Sequence, residues 1–97
     1  MSADELREFL SSYFGDQSTE EGVGEVVFVT ADHPDYHRTY LGILDWAIAG
    51  ADDPAVARAI RESFAASASD AVQARAYLQS VRTEYLRQYA AATGAAT

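Results

Sequence analysis

Cysteine is absent from the 97 residues. That excludes a disulfide framework, a thiol nucleophile and cysteine-ligated zinc or iron–sulfur sites. Lysine is absent as well, so all seven basic residues are arginines, set against fifteen acids for a net charge of −8. Phosphate neutralisation needs clustered basic side chains, so direct nucleic-acid binding is not expected. No apolar run approaches the roughly 18 residues of a membrane span. The opening MSADELREF carries two acids before its first arginine and no apolar stretch, unlike a secretory signal. No membrane association is expected, and the cytoplasm is the expected compartment.

Catalytic signatures are missing too. There is no G-x-S-x-G, no P-loop and no G-x-G-x-x-G, and Gly22-Val23-Gly24 is only a two-glycine fragment. The adjacent carboxylates Glu20/Glu21 and Asp52/Asp53 diverge on a helix, whereas general acid–base work needs carboxyls that converge. Neither an enzyme nor a bound cofactor is expected. Proline occurs only twice while alanine is frequent, and 48% of the residues are hydrophobic. That balance predicts one folded, helical domain over residues 1–97.

Amphipathic spacing predicts four or five helices, an all-α bundle or small orthogonal helical domain. Ser2 and Glu5 have capping-box spacing, and Leu6, Phe9, Leu10 and Tyr13 form a stripe that Gly15 is expected to stop in a left-handed cap. Ser18 and Glu21 repeat the cap spacing before VGEVVFVT. Val26, Val27, Phe28 and Val29 favour a strand by propensity. No second convincing strand exists to pair with them, so residues 23–30 are read as a helix whose shared face is Val23, Val26, Val27 and Thr30.

Pro34 opens the next helix, with Tyr36, Tyr40, Ile43, Leu44 and Ala47 along its stripe and Gly50 at its end. Asp53-Pro54 starts a fourth helix with Val56, Ile60 and Phe64 on one face. Ser67 or Ser69 is expected to cap a long fifth helix reaching about Ala92, with Val72, Leu78, Val81, Tyr85 and Tyr89 turned inward. Residues 93–97 read as a frayed tail.

His33 and His37 stand four apart beside Asp32, Asp35 and Asp45, a spacing that can bring two imidazoles to one metal. With no H-E-x-x-H, no third histidine and Pro34 between them, the expectation is solvent-exposed capping chemistry and no metal site. The charge is unevenly spread. Residues 1–53 hold twelve acids and two arginines, a balance of −10, while residues 54–97 hold three acids and five arginines, a balance of +2. An acidic half serves solubility, or it attracts a basic partner.

The stretch LREFLSSYFGDQ, from Leu6 to Gln17, resembles the start of the small immunity proteins of contact-dependent growth inhibition and related polymorphic toxin systems. The shared pattern is an L-x-x-F/L-x-x-YF helix running into a short acidic segment, carried here by Leu6, Phe9, Leu10, Tyr13, Phe14 and Asp16. Where that family continues with His-Gln-Asp and a tryptophan, this chain has Gly15-Asp16-Gln17. The resemblance implies an all-helical, non-enzymatic inhibitor that binds a cognate toxin domain, and many such toxins present basic clefts. The partner-binding candidates are then Asp16, Glu20, Glu21, Glu25, Asp32 and Asp35, with Tyr36 and Trp46 as aromatic anchors. The other reading from sequence is a small acidic accessory or regulatory module, self-associating through its alanine-rich fifth helix at Ala76, Ala90 and Ala91.

Overall fold

A computed structural model describes residues 1–94, and every segment of regular structure among them is helical. The helices are α1 (Ala3–Tyr13), α2 (Thr19–Thr30), α3 (Pro34–Ala49), α4 (Pro54–Glu62) and α5 (Ala71–Thr93). Side chains cap most of the starts. Ser2 accepts from the Glu5 amide at 3.2 Å and Asp53 from the Ala55 amide at 3.0 Å. Ser18 and Glu21 close the full reciprocal box predicted for α2. Each such cap is worth about 1 kcal/mol against alanine. The cap of α5 differs from expectation: Asp70, not Ser67 or Ser69, accepts from the Gln73 amide at 2.9 Å. The helix runs through Thr93 and ends at Gly94 in the left-handed conformation, φ 70°. The rest of the expected tail, residues 95–97, lies outside the described residues.

Helix α5 is the spine, with α2, α3 and α4 packed on it and α1 closing the other side against α4, α3 and α2. The core is continuous. Leu6, Phe9, Leu10 and Phe14 meet Val23 and Val26, then Ile43, Leu44, Val56, Ile60, Leu78, Val81 and Tyr85. The ambiguous stretch is a helix, and its expected face, Val23, Val26, Val27 and Thr30, is buried throughout.

Two residues expected inside are outside. Phe64 is 75% exposed because α4 ends at Glu62 and the backbone at Phe64 turns left-handed, φ 60°, taking it off the Val56–Ile60 row. Val72 is 74% exposed. The core row of α5 starts at Ala74, and Val72 sits two residues earlier, roughly 200° round the helix.

The stop after α1 also differs from expectation. The left-handed residue is Asp16, φ 59°, not Gly15. Aspartate tolerates that region better than most residues. Gly15 is small for another reason: a Cβ there would lie 3.1 Å from the Ser63 carbonyl oxygen and 3.3 Å from that of Ser11. The Asp16 amide then donates to the carbonyl of Phe64 at 3.3 Å, so the two left-handed residues brace each other across the α1–α2 and α4–α5 connections.

Gly22 marks the tightest approach in the fold. A Cβ there would lie 2.4 Å from Phe14 Cδ1 and 2.6 Å from the Tyr13 carbonyl oxygen, while a Cβ at Gly24 would meet only the flexible Gln88 side chain at 3.6 Å. Gly22→Ala is expected to cost about 1–3 kcal/mol through overpacking. Gly24→Ala is expected to add about 0.5–1 kcal/mol from helix propensity. Urea midpoints of the two variants against the parent check both signs.

Candidate interface on α2 and the start of α3

Burying Gly22, Val23, Val26, Val27 and Thr30 dictates what α2 shows to solvent. At about 100° per residue, Glu21, Glu25 and Phe28 fall within roughly 60° of one another on the opposite side. All three are exposed, Phe28 at 87%. Asp32 follows in the turn, and Asp35 and Tyr36 continue the surface in the first turn of α3. Tyr36 is half exposed, with its ring 5.3 Å from that of His33. Two accessible aromatics thus stand among four carboxylates. Among the described residues no ion pair joins Glu21, Glu25 or Asp32 to an arginine, whereas Asp35 is bound to Arg38.

The remaining sequence candidates separate from this face. Glu20 is the acid of α2 whose charge reaches Arg87 of α5 and helps hold that guanidinium in its charged form, after the nearer Glu84. Asp16 lies in an open groove of about 660 Å³ with Arg61, Phe64 and Gln73. Trp46 is partly buried against the core, about 15 Å along the α3 axis from Tyr36. So Glu21 and Glu25 share the outer face of α2, Asp32, Asp35 and Tyr36 cluster at the α2–α3 turn, and Asp16, Glu20 and Trp46 lie apart from both. Phe28 was missed as a candidate. Its signal was present, since it is the one large apolar residue off the Val23/Val26/Val27 face.

The two histidines part company. His33 is exposed beside Tyr36, while His37 turns toward α5, its ring stacked on Tyr89 at 4.0 Å and 10°. His37 Nδ1 lies 2.6 Å from the Tyr85 hydroxyl, which donates to Thr30 Oγ1 at 3.1 Å. One phenol therefore ties the end of α2, the start of α3 and the middle of α5. It fixes the turn that carries Asp32. Burial lowers the His37 pKa below its ordinary value, and the nearby Arg38 lowers it further. Among the described residues, no group of three His, Asp or Glu side chains converges as a metal-binding cluster. No helix among them is long and apolar enough to cross a membrane.

No family model, curated protein or solved structure gives a significant match to this chain.

Tyr85→Phe leaves the buried Thr30 hydroxyl without its donor and is expected to cost about 1–2 kcal/mol. The pH dependence has a definite sign. The folded pKa of His37 lies below 6.5, so the unfolded chain takes up the proton first. This contribution to stability is intact above 6.5 and declines as pH falls from there toward the folded pKa. Urea midpoints between about pH 7 and about pH 5 are expected to fall for the parent, and to fall less steeply for His37→Gln.

Proposed function

We propose that this chain is a non-enzymatic binding protein that captures a basic protein partner on the outer face of α2 and the first turn of α3. Following the resemblance of Leu6–Gln17, the partner is a toxin domain that the chain neutralises in the cytoplasm. One observation supports this reading most strongly: Phe28 stands almost wholly in solvent on the face of Glu21 and Glu25, and among the described residues no arginine pairs with Glu21, Glu25 or Asp32. An exposed aromatic is the residue type that anchors interfaces. Uncompensated acids around it accelerate encounter with a basic surface and disfavour acidic ones.

A second reading, self-association as an accessory module, is favoured by the outer face of α5. Val72, Ala76, Gln79, Ser80 and Thr83 are all exposed there and none is charged. Sedimentation separates the two readings. A tight homodimer that Ala76→Glu dissolves supports the module, and a monomer supports the partner-binding protein.

The direct test is capture from the native host, followed by titration of the retained protein. That protein is expected to be basic and to be encoded beside this gene. Its log affinity should fall with log salt. Phe28→Ala should weaken binding at least about tenfold. Glu25→Lys combined with Asp32→Lys should weaken it further and flatten the salt dependence. Glu21 is spared because it also completes the α2 cap. Salt-independent affinity, or affinity unchanged in both variants, would contradict the proposal.

A further inference from the structure

Next to that face lies a groove between α1 and α3, about 280 Å³ in volume, lined by Glu5, Glu8, Phe9, Tyr13 and Tyr40 among others. It is slightly smaller than the roughly 300–1,000 Å³ of small-molecule sites, a size for one long side chain rather than a cofactor. Its walls are aromatic. Tyr40 stacks on Phe9 at 5.0 Å and 28°, and Tyr13 meets Tyr40 edge-on at 5.7 Å and 68°. The two phenol hydroxyls lie 3.1 Å apart, so one donates to the other and the pair keeps oxygen lone pairs free to accept.

Carboxylates sit on its rim. Glu5 and Glu8 are three apart on one side of α1, both exposed. Among the described residues neither pairs with an arginine: Arg7 is committed to Asp4 and Glu62, and Arg38 to Asp35. Aromatic rings, phenol oxygens and two carboxylates without an arginine partner form a set whose charge and quadrupoles favour a cation. Burial first, then the bond to Tyr40, pushes the Tyr13 hydroxyl up to about 12, so the phenol is neutral at physiological pH. The Glu25 carboxylate of the α2 face adds a smaller push in the same direction.

We propose that the α1–α3 groove is a receptor for the guanidinium group of an arginine side chain on the protein partner. Guanidinium fits better than ammonium. It is planar and weakly hydrated, so it can lie against Tyr40 while its fork of N–H donors reaches Glu5 and Glu8. Naming the partner as its source rests on the basic-partner reading above. The cation preference of the groove does not.

The probe is therefore N-acetyl-arginine amide, titrated into the ¹⁵N-labelled full chain, with the N-acetyl-citrulline and N-acetyl-lysine amides alongside. Saturable shifts are expected at Glu5, Glu8, Phe9, Tyr13 and Tyr40. The neutral citrulline isostere should bind at least about tenfold more weakly, and lysine a few-fold more weakly. Glu5→Gln with Glu8→Gln should reduce arginine binding about tenfold while leaving the rest of the spectrum in place, since both positions are exposed.

Equal responses to arginine and citrulline would overturn the proposal. So would shifts confined to α2, or arginine binding unaltered in the double glutamine variant. Phe28→Ala should leave the probe bound in the groove while weakening the partner. Loss of one effect without the other thus shows which of the two proposals fails.

Discussion

Helix α2 crosses the end of α1 so closely that only glycine fits at position 22, with Phe14 and the Tyr13 carbonyl occupying the space of any larger residue. That approach fixes the rotation of α2 about its own axis. Once Gly22 faces Phe14, Val23, Val26, Val27 and Thr30 must face the core, and Glu21, Glu25 and Phe28 must face water. The outer surface of α2 thus follows from an inner contact. A large aromatic is held in solvent because moving Phe28 inward would turn Gly22 away from the one place that requires it.

The other end of α2 is held by chemistry rather than shape. The Tyr85 hydroxyl joins Thr30 to His37 in the middle of the bundle, and a buried hydroxyl with both neighbours in place is costly to disturb. Glycine at one end and this phenol at the other hold the acidic helix as a rigid face. Preorganised surfaces lose less entropy on binding. The paired left-handed residues Asp16 and Phe64 brace the opposite side of α1, at about 1–2 kcal/mol of backbone strain for the aromatic one.

Much of this fold is legible in the residues. Stripes at helical spacing give the helices, and Ser18/Glu21 and Asp53-Pro54 give two of the starts. The valine run resolves as a helix because a lone strand has nowhere to satisfy its backbone. Other features are not legible. Phe64 continues the Val56–Ile60 row by spacing, and only the docking of Ser63 against Gly15 reveals that the chain leaves the helix there. Val72 is apolar but lies outside the true core row, which starts two residues later at Ala74. Asp70 rather than a serine caps α5 because three polar residues compete within four positions and spacing alone does not rank them. The site divides in the same way. The acidic bias is visible by counting, but its separation into a face, a groove rim and the outlying Asp16, Glu20 and Trp46 depends on the long-range packing of α1 on α3.

Amide hydrogen exchange of the chain with and without its captured partner tests the central claim most directly. Protection on binding is expected over the outer turns of Thr19–Thr30 and the first turns of α3, with α5 unchanged along its outer face. Protection confined to residues 72–83 of α5, with α2 exchanging as in the free chain, would contradict it.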